Sequence, residues 1–165
     1  TPMLAGRVDG TAPYKWNGED PTLNKSFKHT LQRLGGNPDS VRSSELEALA
    51  AYVTSLPAPR APSVTDPEAI ARGRHLFQEE LDCSGCHDGA ALTDGGQYPL
   101  ESRGLEVTDT PSLVGLAHTA PYYHDGSAPD LYTLVTDKGS VHDMSDFDGL
   151  EPVQIRDLVT YLESL

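Results

Sequence analysis

Apolar residues recur every three or four positions in three segments of the chain, and this spacing predicts three helices. The segments run from Asp66 to about Glu80, from Ser44 to Leu56 and from about Glu151 to Leu165. The clearest apolar stripe belongs to the last segment and consists of Ile155, Leu158, Val159 and Leu162. Residues 88–150 show neither a helical nor a strand period, so we expect a long loop with short helical pieces there. The predicted fold class is therefore mostly α.

A proline-rich stretch divides the chain. Residues 57–65 contain three prolines, and a sequence of this kind forms a semi-rigid, extended linker. We therefore expect a domain boundary here, with one unit in residues 1–56 and a second unit in residues 66–165.

The two units share an internal repeat. The repeated strings are T-P-x-L-x-G, at residues 1–6 and 110–115, and T-A-P-Y, at residues 11–14 and 119–122. The predicted helices at the ends of the units also align, with Tyr52 matching Tyr161. So many matches in register indicate two related units. The second unit is complete, whereas the first holds only the C-terminal half of the same pattern.

Charge and composition narrow the class of protein. Lys and Arg total 12 against 25 Asp and Glu, which gives a net charge of −13. Nucleic-acid binding needs a basic patch and is excluded on this ground, and no apolar run is long enough for a membrane span. Only 37% of the residues are hydrophobic, while glycines number 15 and prolines 13. A chain so rich in loops needs a large buried cofactor to complete its core.

The two cysteines identify that cofactor. Cys83, Cys86 and His87 form the motif C-x-x-C-H, which attaches c-type haem. Two cysteines one turn apart reach the porphyrin as thioethers, and His87 binds the iron as proximal ligand. A thioredoxin-like redox pair would follow a strand in a βαβ unit, which the pattern does not predict. A zinc site would need two more ligands, and the chain has no other cysteine. We therefore expect one covalent haem c.

The second axial ligand of the iron is less sharply defined. Met144 lies on the return of the chain before the last helix, and Met3 is the only other methionine. A thioether opposite a histidine is an established axial pair that raises the reduction potential, so Met144 is the first candidate. His142, His124 and His118 are the alternatives, together with a five-coordinate iron that keeps one position open.

Residues on both sides of the motif resemble the class I cytochrome c fold. Gly73 and Phe77 precede the haem motif, and Tyr161 lies in the last helix. In that family the first helix crosses the last one at these glycine and aromatic positions. The resemblance therefore implies that Gly73 and Phe77 contact Tyr161.

A narrower resemblance is carried by the string T-A-P-Y-Y-H-D-G at residues 119–126. It is similar to the bacterial di-haem cytochrome c peroxidase and MauG family, in which one haem transfers electrons and the other reacts with peroxide. This chain departs from the family because it has a single C-x-x-C-H motif. In its first unit Trp16 stands where His124 stands in the second. We expect the first unit to bind no haem and to pack against the second, with Trp16 and Tyr14 near the interface.

These features predict an extracytoplasmic electron-transfer domain, because covalent haem c is attached outside the bacterial cytoplasm. Its partner would be a redox protein, a basic one if the acidic surface is a docking face, and further domains of a larger parent chain are also expected. The alternative is part of a di-haem peroxidase or MauG-like oxidase acting on hydrogen peroxide. In that case His124 and Asp125 would act as acid or base and Tyr122 or Tyr123 as radical relays.

Overall fold

A computed structural model describes residues 3–63, 66–100, 104–136 and 144–165. Within these ranges the regular structure is mainly helical. The α-helices are α1 (Leu23–Arg33), α2 (Ser43–Thr54), α3 (Pro67–His75), α4 (Leu131–Thr136) and α5 (Pro152–Glu163). Single 3₁₀ turns cover Pro38–Ser40, Cys83–Gly85 and Leu116–His118, and one π-helical turn, Leu76–Glu80, continues α3. No helix in the described ranges is long and apolar enough to cross a membrane.

The three predicted helices are present as α2, α3 with its π-helical turn, and α5, each within one or two residues of the predicted bounds. α3 begins at Pro67 because the Asp66 carboxylate accepts hydrogen bonds from the Glu68 and Ala69 amides, at 3.1 and 2.9 Å. A carboxylate in this position satisfies amides that the first helical turn leaves free. With its π-helical turn the helix ends at Glu80, three residues before Cys83.

α1 was not among the predicted helices. Its sequence does carry an apolar stripe, because Leu23, Phe27 and Leu31 recur every four positions, but this stripe is only half-buried and none of the α1 residues is fully buried. The start of the helix is also encoded, because the Thr22 hydroxyl accepts a hydrogen bond from the Lys25 amide at 3.3 Å. Thr22 matches Asp130, which caps α4 in the same way through the Thr133 amide at 2.7 Å.

The long segment between the haem motif and α5 contains little regular structure, as predicted. Its only described strands are β1 (Gln97–Tyr98) and β2 (Thr108–Asp109), which pair antiparallel with Gln97 opposite Asp109. The short helix α4 and the 3₁₀ turn Leu116–His118 are the helical pieces. The described parts of this segment, residues 88–100, 104–136 and 144–150, therefore form a wall of loops beside the helices.

The core of the second unit lies where α3 crosses α5. Gly73 allows the close approach, because a Cβ atom there would meet the carbonyl oxygen of Asp157 and would lie 2.7 Å from the Tyr161 Cβ atom. The rings of Phe77 and Tyr161 pack edge to face with their centroids 5.3 Å apart. The predicted contact of Gly73 and Phe77 with Tyr161 is therefore confirmed.

An ion pair fixes the same crossing from its edge. Arg72 donates two hydrogen bonds to the Asp157 carboxylate, at 2.6 and 3.0 Å. Asp157 is buried whereas Arg72 is half-exposed. A bidentate arginine satisfies both carboxylate oxygens, which a buried acid requires.

The internal repeat is visible in the backbone. The Gly6 amide donates to the Leu56 carbonyl at 3.0 Å, and the Gly115 amide donates to the Leu165 carbonyl at 3.1 Å. Two tyrosine hydroxyls also repeat one contact, from Tyr14 to the Val8 carbonyl and from Tyr122 to the Leu116 carbonyl. The first unit therefore has the loop and final helix of the second.

The outer faces of the two final helices differ. Leu158 and Tyr161 of α5 are 1% and 6% exposed because α3 covers them, whereas their counterparts Leu49 and Tyr52 of α2 are 43% and 63% exposed. In the described residues, nothing stands against α2 in the place that α3 takes against α5. An apolar face is therefore left open on the first unit.

Candidate functional site

The haem motif forms a single tight turn directly after the first helix of the second unit. The Cys86 and His87 amides both donate to the Cys83 carbonyl, at 3.3 and 2.9 Å. Cys83 packs against the core, and both cysteines are free thiols of intermediate exposure. Two thiols on one turn beside an imidazole are the donor set that c-type haem requires.

The environment of Cys83 argues against a thiol redox pair. Burial raises the pKa of its thiol to about 11, with smaller contributions from Asp82 and Cys86. Reactive Cys-x-x-Cys pairs lie in electropositive surroundings that lower the thiol pKa. Cys83 is therefore suited to a thioether and poorly suited to disulfide exchange.

His87 is held in an orientation that suits an axial ligand. Its Nδ1 atom lies 3.2 Å from the Leu92 carbonyl oxygen, so Nδ1 is the donor and Nε2 keeps the lone pair that binds a metal. Burial lowers the pKa of His87, and the hydrogen bond to Leu92 opposes this. The imidazole is therefore neutral near pH 7, which ligation requires.

The loop that holds His87 is tied to the segment carrying the second T-P-x-L-x-G string. The Thr93 hydroxyl donates to the Thr110 carbonyl at 2.7 Å, and the Thr110 amide donates to the Gly96 carbonyl at 3.0 Å. Thr93 also accepts from the Gly95 amide at 3.0 Å. The proximal side of the site is therefore formed by a loop that these hydrogen bonds hold in place, and not by a helix.

A buried acid lies at the edge of this wall. Asp109 on β2 is buried, and burial, reinforced by the charge of Asp94, raises its pKa to about 7. Its Oδ1 atom has no hydrogen-bond partner among the described residues. No sequence pattern marks this group, because an aspartate between two threonines is typical of a surface position.

The first unit contacts the same wall. The Asp109 amide donates to the Trp16 carbonyl at 2.9 Å, and the Gln97 side chain donates to the Asn17 carbonyl at 2.6 Å. The Trp16 ring packs edge to face with His124 at a centroid distance of 6.2 Å. Trp16 therefore lies at the interface as predicted, whereas the hydrogen bonds of Tyr14 stay within the first unit.

The candidates for the second axial position lie in different surroundings. Met144 is 41% exposed, and its neighbour Ser145 donates to the Leu81 carbonyl at 2.9 Å. His124 is half-buried beside Trp16, and His118 is exposed with Nε2 3.0 Å from the Arg60 carbonyl oxygen. His142 lies outside the described residues.

Comparison with known proteins agrees with this reading of the fold. The family model described as cytochrome c oxidase, cbb3-type, subunit III matches residues 68–162. No curated protein sequence matches the chain at a significant level.

Two solved structures are similar to the chain. Hydrazine synthase of Kuenenia stuttgartiensis, pressurised with xenon, has 21% identity and a TM-score of 0.77 over 99% of this chain and 71% of its own. A MauG-like protein associated with microbial copper homeostasis has 18% identity and a TM-score of 0.71 over 100% of this chain and 72% of its own. At such identities the likeness concerns the fold, and it extends over both units.

Proposed function

Because the chain belongs to the cytochrome c family described as cbb3-type oxidase subunit III, we propose that it is an extracytoplasmic one-electron carrier with histidine–methionine ligation. The family carries covalent haem c, and the mostly helical fold is that of class I cytochromes c. The observation that carries the proposal is the turn in which Cys83, Cys86 and His87 come together, with His87 Nδ1 engaged by Leu92. One such motif in the chain corresponds to one haem.

The bound haem supplies a one-electron iron couple, and the protein sets how that couple behaves. Leu92 fixes the His87 tautomer and ring orientation, so that Nε2 would be free to bind the iron. Partly buried apolar side chains, including Leu92 and Leu134, pack against the same core as Cys83 and would exclude water from the cofactor. Exclusion of water disfavours the extra positive charge of ferric iron and so favours the reduced form.

Met144 is the proposed second axial ligand. The Ser145 hydroxyl and the Cys83 thiol both approach the Leu81 carbonyl, at 2.9 and 3.8 Å. The residue after Met144 is thus tied to the chain two residues before the first haem cysteine. This link supports a methionine close to the cofactor, and a neutral thioether there would stabilise ferrous iron.

The location and the partner follow from the cofactor and the charge. Covalent attachment of haem c takes place outside the bacterial cytoplasm, which supports a periplasmic or other extracytoplasmic location. A net charge of −13 favours rapid encounter with a basic redox protein and predicts that the association slows with salt.

A di-haem enzyme acting on hydrogen peroxide is the second candidate. The open apolar face of α2 favours it. In the second unit the same face of α5 is covered by α3, which is the helix that leads into the haem motif. The MauG-like neighbour, which matches both units, is compatible with it. In this case His124 and Asp125 would serve the peroxide reaction, with Tyr122 or Tyr123 as relay.

The visible spectrum of the haem-loaded chain separates the two functions. An electron carrier with two protein ligands should be low-spin, with a sulfur-to-iron charge-transfer band in the oxidised form, and should not react with peroxide. A high-spin spectrum that shifts when cyanide or hydrogen peroxide is added would instead support the enzyme.

A further inference from the structure

Arg7 of the first unit contacts the loop segment that follows the haem motif in the second unit. Its guanidinium Nη2 donates a hydrogen bond to the Ser112 carbonyl. Ser112 lies two residues after Thr110, whose backbone is hydrogen-bonded to the loop that holds His87. Arg7 is thus the only arginine or lysine of residues 3–56 that has a hydrogen bond of its side chain to the described part of the second unit.

The charge of Arg7 has no acidic partner in the described residues. The ion pairs found there join other residues, although the chain contains 25 acidic side chains. The side chain is half-buried, and burial lowers its pKa. A partly desolvated guanidinium normally pairs with an anion, because burying a charge alone is costly.

The second unit has no counterpart of this arginine. Four residues separate Gly6 from Thr11, whereas three separate Gly115 from Thr119. The tyrosine contacts match the buried Val8 with the buried Leu116, so Arg7 is the extra residue of the first unit. The two glycines make the same backbone contact to the end of their units. The charge is therefore a feature of the first unit alone, at the point where that unit meets the second.

The position of Arg7 relative to the cofactor residues indicates which anion it takes. Arg7 contacts the Ser112 carbonyl, two residues after the Thr110 carbonyl that accepts from Thr93 in the loop holding His87. A haem held by Cys83, Cys86 and His87 would supply two carboxylates, which are the acidic partners that the described residues do not offer to Arg7. A guanidinium matches a carboxylate with two parallel hydrogen bonds.

We propose that Arg7 pairs with a carboxylate of the haem bound by the second unit, so that the first unit raises the reduction potential of a cofactor it does not attach. A cation near the iron stabilises the ferrous form by Coulomb attraction to the added electron. The inference rests on the bound haem and is independent of whether Met144 is the second axial ligand. It gives the haem-free unit a direct electrostatic role.

The test is a potentiometric titration of the haem-loaded chain and three variants. Arg7→Gln removes the charge but keeps a donor for the Ser112 carbonyl. It should lower the ratio of ferrous to ferric haem at a fixed potential roughly tenfold, or about 59 mV for one electron. Arg7→Lys keeps the charge and should restore most of the potential. Arg33→Gln removes an exposed charge from the same unit and should leave the potential close to wild type.

Three results would overturn the proposal. The first is an unchanged potential in Arg7→Gln with a lower melting temperature, which would make Arg7 a purely structural tie to Ser112. The second is an equal shift in Arg33→Gln, which would indicate net charge alone. The third is a wild-type potential that falls on adding phosphate while that of Arg7→Gln does not, which would show that Arg7 binds a solvent anion. A potential that is insensitive to phosphate supports the haem carboxylate.

Discussion

Gly73 and Tyr161 meet where α3 crosses α5, so closely that a methyl group on Gly73 would lie 2.7 Å from the Tyr161 Cβ atom. The contact joins the helix that leads into the haem motif to the last helix of the chain. Phe77, one turn after Gly73, packs its ring against Tyr161. The position of the haem turn therefore depends on this crossing.

Gly73→Ala should destabilise the haem-loaded chain by about 1–3 kcal/mol, because the added methyl forces the packed helices apart. Thermal unfolding followed in the visible and far-ultraviolet ranges measures the effect. Ala71→Ser, on the exposed side of the same helix, is the control and should melt like wild type. A Gly73→Ala variant as stable as the control would show that the two helices do not cross at this glycine.

The two matching tyrosines should respond very differently to removal. Tyr161→Ala should cost about 3–5 kcal/mol of unfolding free energy, because it empties a packed aromatic site. Tyr52→Ala should cost within about 0.5 kcal/mol, because that ring is mostly exposed. Denaturant unfolding of both variants measures the difference. A large loss in Tyr52→Ala would mean that the α2 face is covered, for instance by association of the chain with itself.

Stability should fall as the pH rises towards neutral because of Asp109. Its pKa is raised to about 7 by burial and by the charge of Asp94, so the folded state holds a proton that the unfolded state releases from about pH 4 upward. This contribution is complete below the unfolded pKa and is lost as the pH rises through about 7.

Asp109→Asn imitates the neutral carboxyl, so it should match wild type near pH 4 and exceed its stability by about 4 kcal/mol at pH 8. Melting temperatures of the haem-loaded chain at the two pH values provide the comparison. Asp39→Asn, at an exposed aspartate of the first unit, should change neither. Equal effects of Asp109→Asn at both pH values would rule out a raised pKa in the folded chain.

Met144→Ala should remove the proposed thioether ligand. The iron should become high-spin or take water as ligand, the sulfur charge-transfer band should disappear and the potential should fall. Met3→Ala removes the other methionine, which contacts the Gly115 region, and should keep the wild-type spectrum. A wild-type low-spin spectrum in Met144→Ala would transfer the role to one of the histidines at 118, 124 or 142.

The crossing of α3 and α5 and the position of the C-x-x-C-H turn were predictable from the sequence. Gly73, Phe77 and Tyr161 are recognisable because close packing leaves little choice of residue, and C-x-x-C-H is typical of the attachment of c-type haem. The helices α2, α3 and α5 were predictable because each buries one face. α1 was overlooked although Leu23, Phe27 and Leu31 form a similar stripe, which the fold leaves only half-buried.

Contacts made by the backbone and across the two units could not be read from the sequence. Leu92 holds His87 through a carbonyl oxygen, which every residue possesses. Arg7 and Asp109 both lie where the first unit packs against the second, with Arg7 bonded to the Ser112 carbonyl and the Asp109 amide bonded to the Trp16 carbonyl. Such pairs are distant along the chain, and no local pattern joins them.

Every role proposed for this chain depends on one haem that is linked covalently through Cys83 and Cys86. The intact mass of the chain, produced in a bacterial host that matures c-type cytochromes and measured under denaturing conditions, tests this linkage. We expect a mass equal to the polypeptide plus one haem, and the bare polypeptide mass for the variant carrying Cys83→Ala and Cys86→Ala. A wild-type chain with the bare polypeptide mass, or with zinc in place of haem, would contradict it.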